Sequence, residues 1–118
     1  MSVDYEVQKA ETERLWAEMS TQPGVPAEGL LDLRFVADAG AGADATEFMG
    51  WLEDRGYDVE YYPADPDSDD PEDALDVIEV QTDVMPLSAA TIHAEERKTT
   101  EAALGFGFRP DGWGFMGA

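Results

Sequence analysis

The sequence predicts an α+β domain in which a leading helix is followed by the order β-α-β-β-α-β. Three observations predict it. Residues 30–37 and 57–62 alternate with the period of two that marks half-buried strands, the segments beside them carry apolar residues at helical spacing, and Gly or Pro punctuates most of the junctions. At 118 residues there is room for one core but not for two independent domains.

Residues 5–20 contain neither Gly nor Pro, and Gln8, Thr12, Leu15, Trp16 and Met19 fall on one helical face, apolar only towards its C-terminal end. The run from Thr21 to Pro26 stops this helix, which is expected to pack as an appendage. In the first strand Leu31, Leu33, Phe35 and Ala37 lie on one side, with Asp32, Arg34 and Asp38 on the other. Asp44 can cap a second helix from Ala45 to Arg55, where Glu47 meets the exposed amides and Phe48, Trp51, Leu52 and Arg55 share a face.

Gly56 suits the left-handed residue that ends this helix. A strand follows at once, with Tyr57, Val59 and Tyr61 on one face and Asp58, Glu60 and Tyr62 on the other, until Pro63 breaks it. Residues 65–73 read as an acidic loop, and residues 75–84 return as a longer strand, making a long-looped hairpin. Ser88 can cap a third helix with Ala89, Ile92, Thr99 and Ala103 on its buried side. Residues 105–116 are expected to form a final strand, bent by the turn Pro110-Asp111-Gly112.

This order is the split-βαβ, or ferredoxin-like, pattern: a four-stranded antiparallel sheet with two helices on one face, here with an extra N-terminal helix. Residues 1–29 are expected to form that helix and its linker, packed on a domain spanning residues 30–118.

Charge narrows the function classes. Asp and Glu number 27 against seven Lys and Arg, a net charge of −20. Such a field repels nucleic acid, whose binders present basic patches to phosphate, and attracts a protein with a basic surface. A hydrophobic share of 43% with three Trp, four Tyr and five Phe belongs to a folded chain rather than a disordered acidic one. The absence of cysteine removes disulfides, thiol nucleophiles and thiolate metal sites, and leans towards a reducing compartment. With no run of 18 apolar residues, the expectation is a cytoplasmic protein without membrane contact.

Three segments, met in order and on these elements, carry a resemblance: Asp54-Arg55-Gly56-Tyr57-Asp58-Val59, Asp83-Val84-Met85-Pro86-Leu87 and Asp111-Gly112-Trp113-Gly114. Together they resemble the regulator of ribonuclease activity B family, with Gly56 and Tyr57 opening the second strand, Pro86 at the break before the third helix, and Asp111, Gly112, Trp113 and Gly114 on the last strand. The match runs over residues 30–116, and Arg109-Pro110 replaces the family's Glu-Tyr. The resemblance implies a ferredoxin-like fold and inhibition of ribonuclease E by binding its non-catalytic region. A long acidic tail known in some members has no counterpart after the last strand; here the acid is concentrated in the hairpin loop.

That loop holds Asp65, Asp67, Asp69, Asp73 and Asp76 at positions 1, 3, 5, 9 and 12 of an EF-hand-like spacing, with Asp70 and Glu72 between them. Asp70 stands where the sharp turn needs Gly, Asp76 is shorter than the bidentate Glu, and both flanks read as strands. The seven acids are therefore expected to contact a basic partner. A calcium site on Asp65, Asp67, Asp69 and Asp76 is the alternative.

Trp113, between two glycines, is expected to pack on the sheet rather than face a partner. His93, the one histidine, has no nucleophile or orienting carboxylate that the sequence can assign to it, so no catalytic residue, metal or cofactor is expected. Gly40-Ala41-Gly42 lacks the Lys-Ser or Lys-Thr of a phosphate loop and reads as a connecting turn. The leading function is a non-enzymatic, acidic, protein-binding regulator of an RNA-processing nuclease. A calcium- or small-ligand-responsive domain and a toxin-neutralising or nucleic-acid-mimicking protein are the alternatives.

Overall fold

In a computed structural model, which describes residues 3–40, 42–65 and 67–117 and not the side chain of Glu72, strand β1 (Glu28–Asp38) forms the middle of the sheet. Its alternation is read as the sequence suggests: Leu31, Leu33, Phe35 and Ala37 are buried towards the helices. Strand β3 (Leu75–Gln81) pairs along one side of β1, setting Ile78 against Phe35 and Val80 against Leu33. Strand β2 (Asp58–Tyr62) pairs outside β3. Strand β5 (Arg109–Gly117) pairs along the other side of β1, setting Trp113 against Leu33. All these pairings are antiparallel, and the order β2-β3-β1-β5 is that of a ferredoxin-like sheet.

A fifth strand corrects the expected four. β3 ends at Gln81 rather than Val84, because Thr82 leaves the ladder: its amide donates to the Leu31 carbonyl while its hydroxyl accepts the Leu31 amide. The chain then turns and re-pairs as β4 (Met85–Pro86), opposite Gly29 and Glu28.

Helices α1 (Tyr5–Met19), α2 (Ala45–Glu53) and α3 (Ala89–Gly105) start at Asp4, Asp44 and Ser88, whose side chains accept first-turn amides. Ser88 and Thr91 form a reciprocal capping box. α2 and α3 both end in the same way. Gly56 and Gly107 adopt φ of +87° and +89°, and the next amides, of Tyr57 and Phe108, reach back to the carbonyls of Leu52 and Ala103. Each helix thus delivers a buried aromatic into the core. Gly105, Phe106 and Gly107, expected at the start of the last strand, belong instead to this helix ending.

Pro110-Asp111-Gly112 bends this last strand without ending it, as expected. Four residues of β5, Pro110 to Trp113, span what three cover on β1, Leu33 to Phe35, so the segment is a bulge within one strand, with Gly112 at φ +108°. The core between sheet and helices centres on Phe48, whose ring stands edge-on to Phe35 at 5.4 Å and lies 5.5 Å from Phe108. Leu31, Leu33, Leu52, Ile78, Val80, Ile92 and Ala103 complete it.

Helix α1 packs on α3 and reaches β5 through Trp16, which meets Phe115 edge-on at 5.8 Å. Of its expected face, Thr12 is fully buried and Gln8, Leu15, Trp16 and Met19 are half-buried. The contact is largely polar: Gln8 donates to the Thr100 hydroxyl at 3.2 Å, the Thr12 hydroxyl donates to Glu96, and the Arg97 guanidinium sits 5.0 Å from the Tyr5 ring.

Candidate functional site

With all three helices on one face of the sheet, the other face is free of them. Its residues are those the strand alternation turns away from the core, and cross-strand register gathers them. Glu79 of β3 lies opposite both Arg34 of β1 and Glu60 of β2, and Gln81 lies opposite both Asp32 and Asp58. Three shallow hollows run across this face, and Glu79 lines all of them. The largest, about 410 Å³, lies between Glu79, Asp32, Arg34 and the β5 segment from Asp111 to Met116.

The face is acidic enough to perturb its own members. The Asp32 carboxyl is pushed above the ordinary carboxylate range, by burial first and by the neighbouring Glu60, against the lowering effect of its hydrogen bond from Gln81. Tyr62, which donates to Glu60, has its phenol raised by that bond and further by Glu79 and Asp32. Among the described residues lining the three hollows, Arg34 is the one cation, and its Nε lies 3.1 Å from the Asp111 carboxylate.

The acidic loop joins this face at one end, where Asp73 borders the hollow shared by Arg34, Tyr62, Val77 and Glu79. A 3-10 turn, Pro71–Ala74, closes the loop onto β3. Several of its acids serve the loop itself. Asp65 accepts the Asp67 amide at 3.0 Å, Asp73 accepts the Ser68 hydroxyl at 2.6 Å, and Asp76 accepts the Ala64 amide at 2.8 Å. Asp67, Asp69, Asp70 and Asp73 are exposed, whereas Asp76 is half-buried. Pro66 and the Glu72 side chain lie outside the described residues. Among the described residues, no three His, Asp or Glu side chains converge as a metal would require.

The segments that carry the family resemblance are spread over the fold. Gly56 ends α2, and Tyr57 is buried with its hydroxyl donating to Glu95 and the Lys98 ammonium 5.3 Å from its ring. Pro86 sits in β4, where its carbonyl accepts the Thr91 hydroxyl at 2.7 Å and so ties the strand to the start of α3. Asp111 holds Arg34, Gly112 permits the bulge, and Gly114 lies opposite Asp32. Trp113 is half-buried and packed against the core, as its sequence context suggests.

Sequence reading missed Glu96. It is 8% exposed, on a helix face where a carboxylate is unexpected, and burial raises its pKa to about 7 against the opposing hydrogen bond from Thr12. It lines a groove of about 510 Å³ between α1 and β5, with Val3, Val7, Leu15, Pro110 and Trp113 as apolar walls. Its position four residues after Ile92 and three before Thr99 was the available signal.

His93, one turn away, does not join it. His93 faces a separate hollow with Lys9 and Glu13, and its pKa is lowered by burial and then by Lys9 and Arg97. The neighbouring carboxylates are engaged elsewhere, Glu95 by Tyr57 and Glu96 by Thr12. No described helix is long and apolar enough to cross a membrane.

The chain is similar to the family described as regulator of ribonuclease activity B, whose model matches residues 2–115. No curated protein matches it.

Proposed function

The chain belongs to the regulator of ribonuclease activity B family, and from that membership we propose that it acts by binding, docking a basic region of an RNA-processing protein against its acidic open face and the adjoining loop. The observation that carries this reading is the gathering of Asp32, Asp58, Glu60 and Glu79 by strand register on a sheet face that no described helix covers, with Asp73 of the loop at its end. A surface of one sign speeds encounter with the opposite sign and suppresses wrong partners. It also disfavours direct contact with RNA, whose phosphates would be repelled.

Ribonuclease E, through its non-catalytic region, is the partner the family resemblance suggests, and the cytoplasm is the compartment in which the two would meet. The loop residues Asp65, Asp67, Asp69, Asp70, Glu72, Asp73 and Asp76 would supply the long-range field, while the sheet face would supply the fitted contact. The test is affinity capture of ribonuclease E and its basic fragments by three proteins: the natural chain, Asp67, Asp69 and Asp73→Asn together, and Glu60 and Glu79→Gln together. Capture should weaken in both variants and fall with salt. Equal capture by all three would reject the reading.

A further inference from the structure

The groove between α1 and β5 has a composition that the open face does not share. Its walls are apolar, from Val7, Leu15, Pro110 and Trp113, and Glu96, Asp4 and Glu11 also line it. No Lys or Arg is among the described residues that line it. Glu96 is more than nine-tenths buried, and the Thr12 hydroxyl is the donor that reaches it. Val7 is 61% exposed at the mouth, an apolar side chain left facing water.

A carboxylate placed out of water is costly unless an opposite charge accompanies it. An uncharged apolar occupant would deepen that cost. A guanidinium would relieve it, and the same side chain brings a methylene stem for the apolar walls and a flat cation that stacks on an indole. A lysine ammonium matches the charge but is more strongly hydrated and lacks the plane.

We propose that this groove receives an arginine side chain of a basic partner protein, its stem along Val7 and Leu15, its guanidinium between the Glu96 carboxylate and the Trp113 ring. The inference rests on the docking reading above and adds a second, separate contact on the opposite side of the sheet. It gives Trp113 a binding role in addition to packing.

The probes are a capped peptide alternating leucine and arginine and the same peptide with neutral citrulline in place of arginine. Each is titrated into the full chain at about pH 8, where the carboxyl is ionised, with amide and indole resonances followed by NMR. The arginine peptide should shift the Trp113 indole and the Val7 and Leu15 amides, and the citrulline peptide should bind about tenfold or more weakly. Glu96→Gln, which keeps the shape, should lose about tenfold, and Val7→Ser, on the surface and neutral for folding, about threefold. Changing Asp67, Asp69 and Asp73 to Asn should leave the groove shifts in place.

Equal binding of the two peptides, an unaffected Glu96→Gln variant, or shifts confined to the open face would overturn the proposal. Failure here with continued capture of a basic partner through the loop and open face would reject the groove alone. Groove binding with no capture would reject the broader docking reading and keep the arginine site.

Discussion

The hydroxyl of Thr12 on α1 donates to the carboxyl of Glu96 on α3, and both residues are buried at the seam between the two helices. This bond ties the N-terminal helix to the domain through a group whose charge state changes near neutrality. In the folded chain the Glu96 pKa is raised to about 7 from an ordinary 4.5.

A raised carboxyl pKa means that the folded state holds the proton more tightly than the unfolded state. Its contribution is complete below the unfolded value and is lost as pH climbs through the folded one. Between about pH 4.5 and 7 this group should therefore remove up to ~3 kcal/mol of stability. Glu96→Gln should flatten that part of the profile and exceed the natural protein in stability at about pH 8. Urea unfolding across the range checks it, and superimposable profiles would refute it.

Gly29 sits where β1 passes between β4 and β5, and a Cβ there would lie 2.3 Å from the Met116 carbonyl oxygen and 3.1 Å from Leu87 Cδ1. The obstructing atom is backbone and cannot step aside. Gly29→Ala should cost on the order of 2 kcal/mol or more and loosen the end of β5. Thermal unfolding with amide exchange at residues 115–117 reads both effects.

Gly56 and Gly107 share the left-handed conformation but differ in their surroundings. A Cβ at Gly56 meets open space, while one at Gly107 comes within 3.0 Å of Ala43 Cα. Gly56→Ala should cost roughly 1 kcal/mol from backbone strain alone, and Gly107→Ala clearly more. A matched pair of denaturation curves checks the ordering, and equal costs would contradict it.

Phe48 is wholly buried and touches three aromatic rings, those of Phe35, Phe106 and Phe108. Phe48→Ala should cost about 3–5 kcal/mol through lost transfer energy and the cavity left behind. Arg34→Gln, which breaks a half-exposed ion pair with Asp111, should cost under about 1 kcal/mol. By removing the one cation among the described residues lining the open-face hollows, it should also tighten capture of a basic partner several-fold, a rise that vanishes in high salt.

Period-two alternation made β1 and β2 legible, and capping residues located the starts of α2 and α3. The split-βαβ order then fixed which strands must be neighbours. The sequence was silent on register: that Glu79 would stand beside both Arg34 and Glu60 depends on three strands aligning, and no local pattern encodes it. The Gly105-to-Arg109 segment was misread because alternating Gly and Phe imitates a strand, while the same glycine also ends a helix in the left-handed conformation. Glu96 escaped because burial of a carboxylate depends on the polar partner that a separate helix supplies.

The bulge at Pro110 to Gly112 governs what the outer margin of β5 can do. Strands at a sheet's rim invite further chains to add on, and a kink, a proline without an amide hydrogen and a left-handed glycine all interrupt the row of free backbone groups that addition needs. At the opposite rim β2 is only five residues long, carries Asp58 and Glu60, and is followed by Pro63. Both margins thus lack the long, uninterrupted row of free backbone groups that the stacking of copies into fibrils requires.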